Sequence, residues 1–297
     1  MAGSVVIIGS GPAGISAAIY AARANIKTTV ITNGTGTIRR VGAIENYYGF
    51  PVPISGEKLH EAGIAQAKRL GVEIIEGEAL DISYDFISEL YRVTLADMQC
   101  EGAALIIATG APQKSPKIEN LEKFEGAGVS RCAVCDAFFY RQKAVAVYGA
   151  GEYAAHEAAE LAAVADFVTV LVGSDSETET ANFPENVIVV KKSPVSLRGE
   201  HRLTEIVLDD GSLIAAEGLF IALGNADSSA FAQKLGAETS DGKIVVDADC
   251  AAVLPGLYAA GDCAVIDGRK EPLQVARAVY MGETAGLSAV KFCRGKI

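Results

Sequence analysis

The 297-residue chain has no apolar run approaching the ~18 residues of a membrane-spanning helix, because Gly, Asp or Glu interrupts every hydrophobic stretch early. It is also short of basic charge: 26 Lys and Arg face 37 Asp and Glu, for a formal net charge of -11. That deficit excludes nucleic acid as the main partner, since phosphate contacts require clustered cations. Cysteine is scarce. Cys100, Cys132, Cys135, Cys250, Cys263 and Cys293 are too scattered to staple a fold, and only Cys132 and Cys135 form a motif. The opening "MAGSVVIIGSGPAG" lacks a basic segment before its apolar run, which reads as a first strand and not a signal peptide; a cytoplasmic chain is expected. What the chain does have is core-building material, half of it hydrophobic, at a length suited to two domains.

That material is arranged twice in the same way. "VVIIGSGPAG", residues 5–14, is a β-branched run ending in Gly9, Gly11 and Gly14 before the small-residue helix pattern "ISAAIYAARAN". In such a strand–turn–helix unit Gly9 permits the turn, Gly11 lets backbone approach a pyrophosphate, and Gly14 lets helix and strand pack closely. The helix start then offers unpaired N–H groups to the anion. "VAVYGAGEYA", residues 145–154, repeats the plan with Gly149, Gly151 and Ala154. "ALIIATGA" (104–111) and "GLFIALGN" (218–225) recur at similar places in each half. Tandem dinucleotide-type units with parallel sheets follow. "YRVTLADMQ" and "TEIVLDDGSLI", the latter with an Asp210-Gly211 turn, suit small antiparallel sheets packed on them.

The pair in "VSRCAVCDAFF" admits three readings. A zinc site needs four ligands, and no second close Cys or His pair accompanies this one. Two inert buried thiols are possible in any core. The redox reading dominates, because a Cys-x-x-Cys pair closes a small disulfide ring and a neighbouring helix start favours a thiolate. Asp136 next to it is either a helix cap or a proton donor and acceptor, and the two roles are compatible. Phe138, Phe139 and Tyr140 read as core packing. Asp262 in "PGLYAAGDCA", after a strand, reads as a turn residue or a cofactor contact.

Together "GSGPAGISAAIYAARAN", "IENYYGFP", "ALIIATGA", "GVSRCAVCDAFFYR" and "PGLYAAGDCA" resemble the low-molecular-weight thioredoxin reductases, a flavoprotein family, over nearly the whole chain and in the family's order. The resemblance implies two tandem Rossmann-like α/β domains of three-layer ββα type, the second inserted in the first. The FAD domain would comprise 1–113 and 246–297, and the inserted nicotinamide-type domain 114–245. It implies that FAD is held by Gly9, Gly11, Pro12, Ala13, Gly14, Thr32, Asn33, Asn46, Ala108, Thr109, Gly110, Gly261, Asp262 and Gln274. Leu273 stands where the common pattern has arginine, and the acid expected after the second strand is missing from "VITNGTG". The resemblance further implies a homodimer in which Cys135 faces the flavin, Cys132 attacks the disulfide of thioredoxin or a thioredoxin-like protein, and Asp136 moves the proton. Related flavin disulfide reductases use a C-terminal histidine as acid. Here His60, His156 and His201 all lie far from the end. Cys263 reads as a small buried filler or a second thiol near the cofactor.

The second glycine loop departs from the pattern that binds NADPH. Glu152 brings negative charge toward the pyrophosphate position and Tyr153 puts a large ring where a small residue is usual. Between Val168 and Pro184 there are acids, Asp175, Glu177 and Glu179, and no base, so a 2′-phosphate would meet repulsion instead of charge-assisted hydrogen bonds worth ~1.5–3 kcal/mol each. NADH is less strongly disfavoured, since an acid suits a free ribose. The resemblance is therefore nearest to members without a working NADPH site, such as the ferredoxin-dependent flavin thioredoxin reductases, and implies reduced ferredoxin as donor. The alternatives are an NADH-linked reductase and a flavin redox sensor without turnover. An acidic ferredoxin would need a basic patch, for which Arg39 with Arg40, Lys114 with Lys117, and Lys191 with Lys192 are the candidates.

Overall fold

Segments such as "SVVII" and "ALII", apolar at successive residues, form strands buried on both faces, which is the pattern of a parallel sheet under helices. The computed structural model describes residues 3–34, 36–111, 115–173, 184–223, 228–266 and 272–295. The chain begins with β1 (Ser4–Ile8), α1 (Pro12–Arg23), β2 (Lys27–Thr32), α2 (Gly56–Arg69) and β3 (Glu73–Glu76). An antiparallel meander follows, β4 (Asp81–Asp85), β5 (Leu90–Thr94) and β6 (Gln99–Gly102), before β7 (Ala104–Ile107) returns to pair in parallel with β1. Pro12 opens α1, where its missing N–H costs nothing, and Ser55 caps α2 by accepting from Lys58 N at 3.2 Å.

Next come β8 (Val129–Ser130), α3 (Ala133–Asp136), β9 (Ala144–Gly149), α4 (Gly151–Ala162), β10 (Phe167–Leu171) and β11 (Val187–Val190). The antiparallel strands β12 (Pro194–Arg198), β13 (Glu205–Leu208) and β14 (Leu213–Ala215) precede β15 (Gly218–Ala222). The order β11-β10-β9-β15-β8 is parallel throughout. Leu171, Leu219 and Ile221 of this sheet pack on Leu197, Ile206 and Leu208 of the antiparallel one. Each such side chain contributes about 1.5–3 kcal/mol by leaving water. The Asp210-Gly211 turn joins β13 to β14 as its sequence requires, with Gly211 at φ 82°.

The chain ends with α5 (Ser228–Lys234), β16 (Thr239–Ser240), β17 (Lys243–Val246), β18 (Leu257–Ala259), β19 (Ala264–Ile266) and α6 (Val275–Gly295). β18 completes the first parallel sheet, whose order is β18-β7-β1-β2-β3. The α/β class with two Rossmann-like parallel sheets is thus as the sequence implies.

Two compact units result: Met1–Pro112 with Asp227–Ile297, and Gln113–Ala226. The second boundary therefore falls near 226 and not at 245. Residues 228–246 join the outer unit because β17 pairs in parallel with β19, and because the nearly buried Lys234 Nζ reaches Asp81 Oδ1 at 2.6 Å. Short strands on a small mixed sheet carry too weak a periodicity for the sequence to place them.

Candidate functional site

In the outer unit the glycine loop does what its spacing predicts. Gly9 has φ 108°, and a Cβ there would strike the Ala108 carbonyl; at Gly14 it would strike the carbonyl of Gly9. The loop therefore lies against the 108–110 segment after β7. Gly11 caps α1 with extended backbone, no side chain occupies the cap, and no acid stands in the first turn, leaving the helix start free to face an anion. Ala13 is buried, and a Cβ on Gly261 would meet its methyl, which places the Gly261-Asp262 turn beside α1. Arg277 on α6 donates to the Gly261 and Ala264 carbonyls at 3.2 and 3.3 Å and so pins this turn. Burial pushes the Asp262 carboxyl up, while Arg277 and Lys243 oppose the shift. Asn46 and Gln274, 228 positions apart, meet through Asn46 Nδ2 donating to Gln274 Oε1 at 3.0 Å. Leu273 beside it is exposed.

At the end of β2, where the usual acid is missing, stands a network the sequence reading did not foresee. Ser10 Oγ lies 2.7 Å from Thr32 Oγ1 and 3.2 Å from His60 Nε2, and Gly34 N donates to Thr32 at 3.2 Å. His60 titrates below its ordinary value because it is partly buried, with Arg39 adding to the effect. Asn33 beside this network is exposed. Cys263 is fully buried, its thiol pushed up by burial, and acts as filler under the 107–110 turn.

In the inserted unit, Cys132 and Cys135 are joined as a disulfide with Cα atoms 5.4 Å apart. Cys132 caps α3, its sulfur accepting from Cys135 N at 3.2 Å. Ser130 Oγ donates to Asp136 Oδ2 at 2.6 Å and accepts from Cys132 N at 3.1 Å, so the acid is tied to the redox pair through one hydroxyl. Asp136 makes no cap bond to the turn that follows it. On the other side Glu157, only 1% exposed, accepts from Ala133 N at 2.5 Å.

The two thiols differ in exposure, and one expectation about their neighbours changes. Cys132 is fully buried while Cys135 is exposed. Phe138 and Phe139, each 67% exposed, are not core; only Tyr140 packs, edge-on against Phe220. A four-residue helix followed at once by a 3-10 turn presents both phenyl rings outward, which their apolar character could not reveal.

The second glycine loop leads into α4 with Glu152 in the first turn. Tyr153 is 2% exposed, and its hydroxyl donates to the Arg131 carbonyl at 3.2 Å. Of the basic candidates, Arg39 pairs with Glu57 at 3.4 Å and Lys192 with Asp210 at 2.5 Å. Arg40, Lys117 and Lys191 are exposed. Lys114, Asp175, Glu177 and Glu179 lie outside the described residues.

The family described as pyridine nucleotide-disulphide oxidoreductase matches residues 3–282. Thioredoxin reductase of Aquifex aeolicus is 35% identical, covering 98% of this chain and 94% of that protein. Among solved structures, the atypical thioredoxin reductase TRi from Desulfovibrio vulgaris Hildenborough superposes with a TM-score of 0.90 at 36% identity, over 99% of this chain and 98% of that one. A ferredoxin-flavin thioredoxin reductase from Clostridium acetobutylicum gives 0.74 at 28% identity, over 97% of each chain. The chain belongs to the pyridine nucleotide-disulphide oxidoreductases, a family of FAD flavoproteins. Within it, its place is among the low-molecular-weight thioredoxin reductases.

FAD fits the residues present. A Cβ added at Gly11 or Gly110 would enter open space, so both backbones are clear for a ligand to approach, beside a helix start with no competing acid.

Proposed function

We propose that this protein is an FAD-dependent disulfide reductase that reduces thioredoxin or a thioredoxin-like protein through Cys132 and Cys135, with electrons from reduced ferredoxin and not NADPH. The observation that carries the donor assignment is the second glycine loop. Glu152 sits in the first turn of α4, where a pyrophosphate would need positive potential, and the buried Tyr153 ring takes space at the same turn. The likeness to the ferredoxin-flavin enzyme of Clostridium acetobutylicum supports the same reading.

FAD would be held by the Gly9–Gly14 loop, the 108–110 turn, Asn46, the Gly261-Asp262 turn and Gln274, and when bound supplies the two electrons that open the Cys132–Cys135 disulfide. With Cys135 on the flavin side, the Cys132 thiolate attacks the acceptor's disulfide, forming a mixed disulfide and expelling one acceptor thiolate. Cys135 then attacks the Cys132 sulfur, which closes the protein disulfide and releases the acceptor dithiol. Asp136 supplies and collects the protons of these steps from its place behind Ser130. Phe138 and Phe139, exposed beside Cys135 with Arg141 over the Phe138 ring at 5.1 Å, form the apolar patch on which the acceptor seats.

Anaerobic mixing tests the assignment by following the visible absorption of the bound flavin. Reduced ferredoxin should bleach it and thioredoxin should then restore it. Rapid bleaching by micromolar NADPH would overturn the donor assignment.

A further inference from the structure

The second glycine-rich unit has lost features a nucleotide needs, yet its helix is not idle. Tyr153 and Glu157 are four positions apart, hence on one face of α4. That face grips the redox segment on both sides of Cys132: the Tyr153 hydroxyl donates to the carbonyl of Arg131, and the Glu157 carboxylate accepts from the amide of Ala133. Both anchors are buried, at 2% and 1% exposure. By covalent geometry the Glu157 oxygen lies within about 5 Å of the Cys132 Cα, in surroundings from which water is excluded.

We infer that α4 serves as a clamp on the redox pair, in which Tyr153 fixes the backbone for ring closure and the carboxylate of Glu157 opposes negative charge on the Cys132 sulfur, making the dithiol more strongly reducing. This rests on the reading of Cys132 and Cys135 as the working dithiol. The physical steps are two. A carboxylate near a thiolate raises the free energy of the reduced, ionised pair and leaves the neutral disulfide nearly untouched, so the equilibrium favours the disulfide and electrons are given up more readily. Holding residues 131 and 133 at once limits the excursions of Cys132, so that its sulfur stays within reach of Cys135 after a mixed disulfide has formed. Asp136 is a second carboxylate beside the pair. It is tied to Ser130 and not to the segment's backbone, and its role is proton transfer, so both residues here act as positioning groups around it.

The test uses full-length holoprotein equilibrated anaerobically with glutathione buffers, its thiols trapped by alkylation and counted by mass: protein disulfide plus two glutathiones exchange for protein dithiol plus glutathione disulfide. Glu157→Gln, which retains an acceptor for the Ala133 amide, should shift the equilibrium about tenfold toward dithiol, equivalent to about 30 mV for a two-electron couple. Tyr153→Phe should leave that equilibrium within twofold of wild type but slow the closure of the Cys132–Cys135 disulfide from a mixed disulfide with glutathione about fivefold, the worth of one neutral hydrogen bond. An unshifted Glu157→Gln equilibrium overturns the inference. Should that variant not fold, Tyr153→Phe decides, and closure at wild-type speed overturns it. None of these readings needs an electron donor or thioredoxin, so failure of reductase turnover would be seen separately.

Discussion

At the scale of single residues, the sequence carries the chemistry but not its surroundings. "CAVCD" is legible because two thiols three positions apart can close a ring and an acid beside them can move a proton. Only the folded segment separates a buried Cys132 from an exposed Cys135. Glu157 was invisible for a related reason: it belongs to a helix pattern 24 positions away, and nothing local marks its carboxylate as a partner of Ala133. The proposed order of attack makes a sharp forecast. Cys135→Ser should retain bound FAD and reduce no thioredoxin, yet accumulate a stable mixed disulfide between Cys132 and an acceptor, visible by mass spectrometry. Cys132→Ser should form no adduct. An adduct at Cys135 in the latter variant would refute the order of attack.

At the scale of elements, the helices and central strands were readable, since an all-apolar strand followed by Gly-x-Gly-x-x-Gly and a small-residue helix leaves little choice of architecture. The return strands were not readable: β16, β17 and β19 span two to four residues each, too few to show a period, and their pairing joins residues that the sequence had divided between domains. Small residues also govern how α1 meets α6. A Cβ on Gly282 would enter the backbone of Ala13, and one on Gly286 would crowd Ala17, so the two helices touch main chain to main chain. Gly282→Val should therefore cost about 1–3 kcal/mol or more through overpacking. Because Ala13 belongs to the loop proposed to hold FAD, the same change should loosen the cofactor. Thermal melting and flavin released on gel filtration measure the two effects.

At the scale of the molecule, the residues proposed to hold FAD fall in one unit. The glycine loop, the Asp262 turn and Gln274 all belong to the outer unit, so FAD should stabilise that unit alone. Free FAD at 100 times its dissociation constant adds about 2.7 kcal/mol. With a shift of ~2–4 °C per kcal/mol, calorimetry should find one transition raised by roughly 5–10 °C and the other unmoved. Equal shifts in both transitions would contradict a cofactor site confined to one unit. The pairing of β7 with β18 has a further consequence. Leu105 and Leu257 are neighbours in the sheet, although the whole inserted unit lies between them in the chain. As the polypeptide leaves the ribosome at ~5–20 residues per second, the first half of the outer sheet must wait on the order of ten seconds for its last strand and for the helix that covers α1. The inserted unit, contiguous in sequence, can close in that interval. The newborn outer half meanwhile offers an uncovered apolar face to chaperones, and its cofactor can be captured only after synthesis is nearly complete.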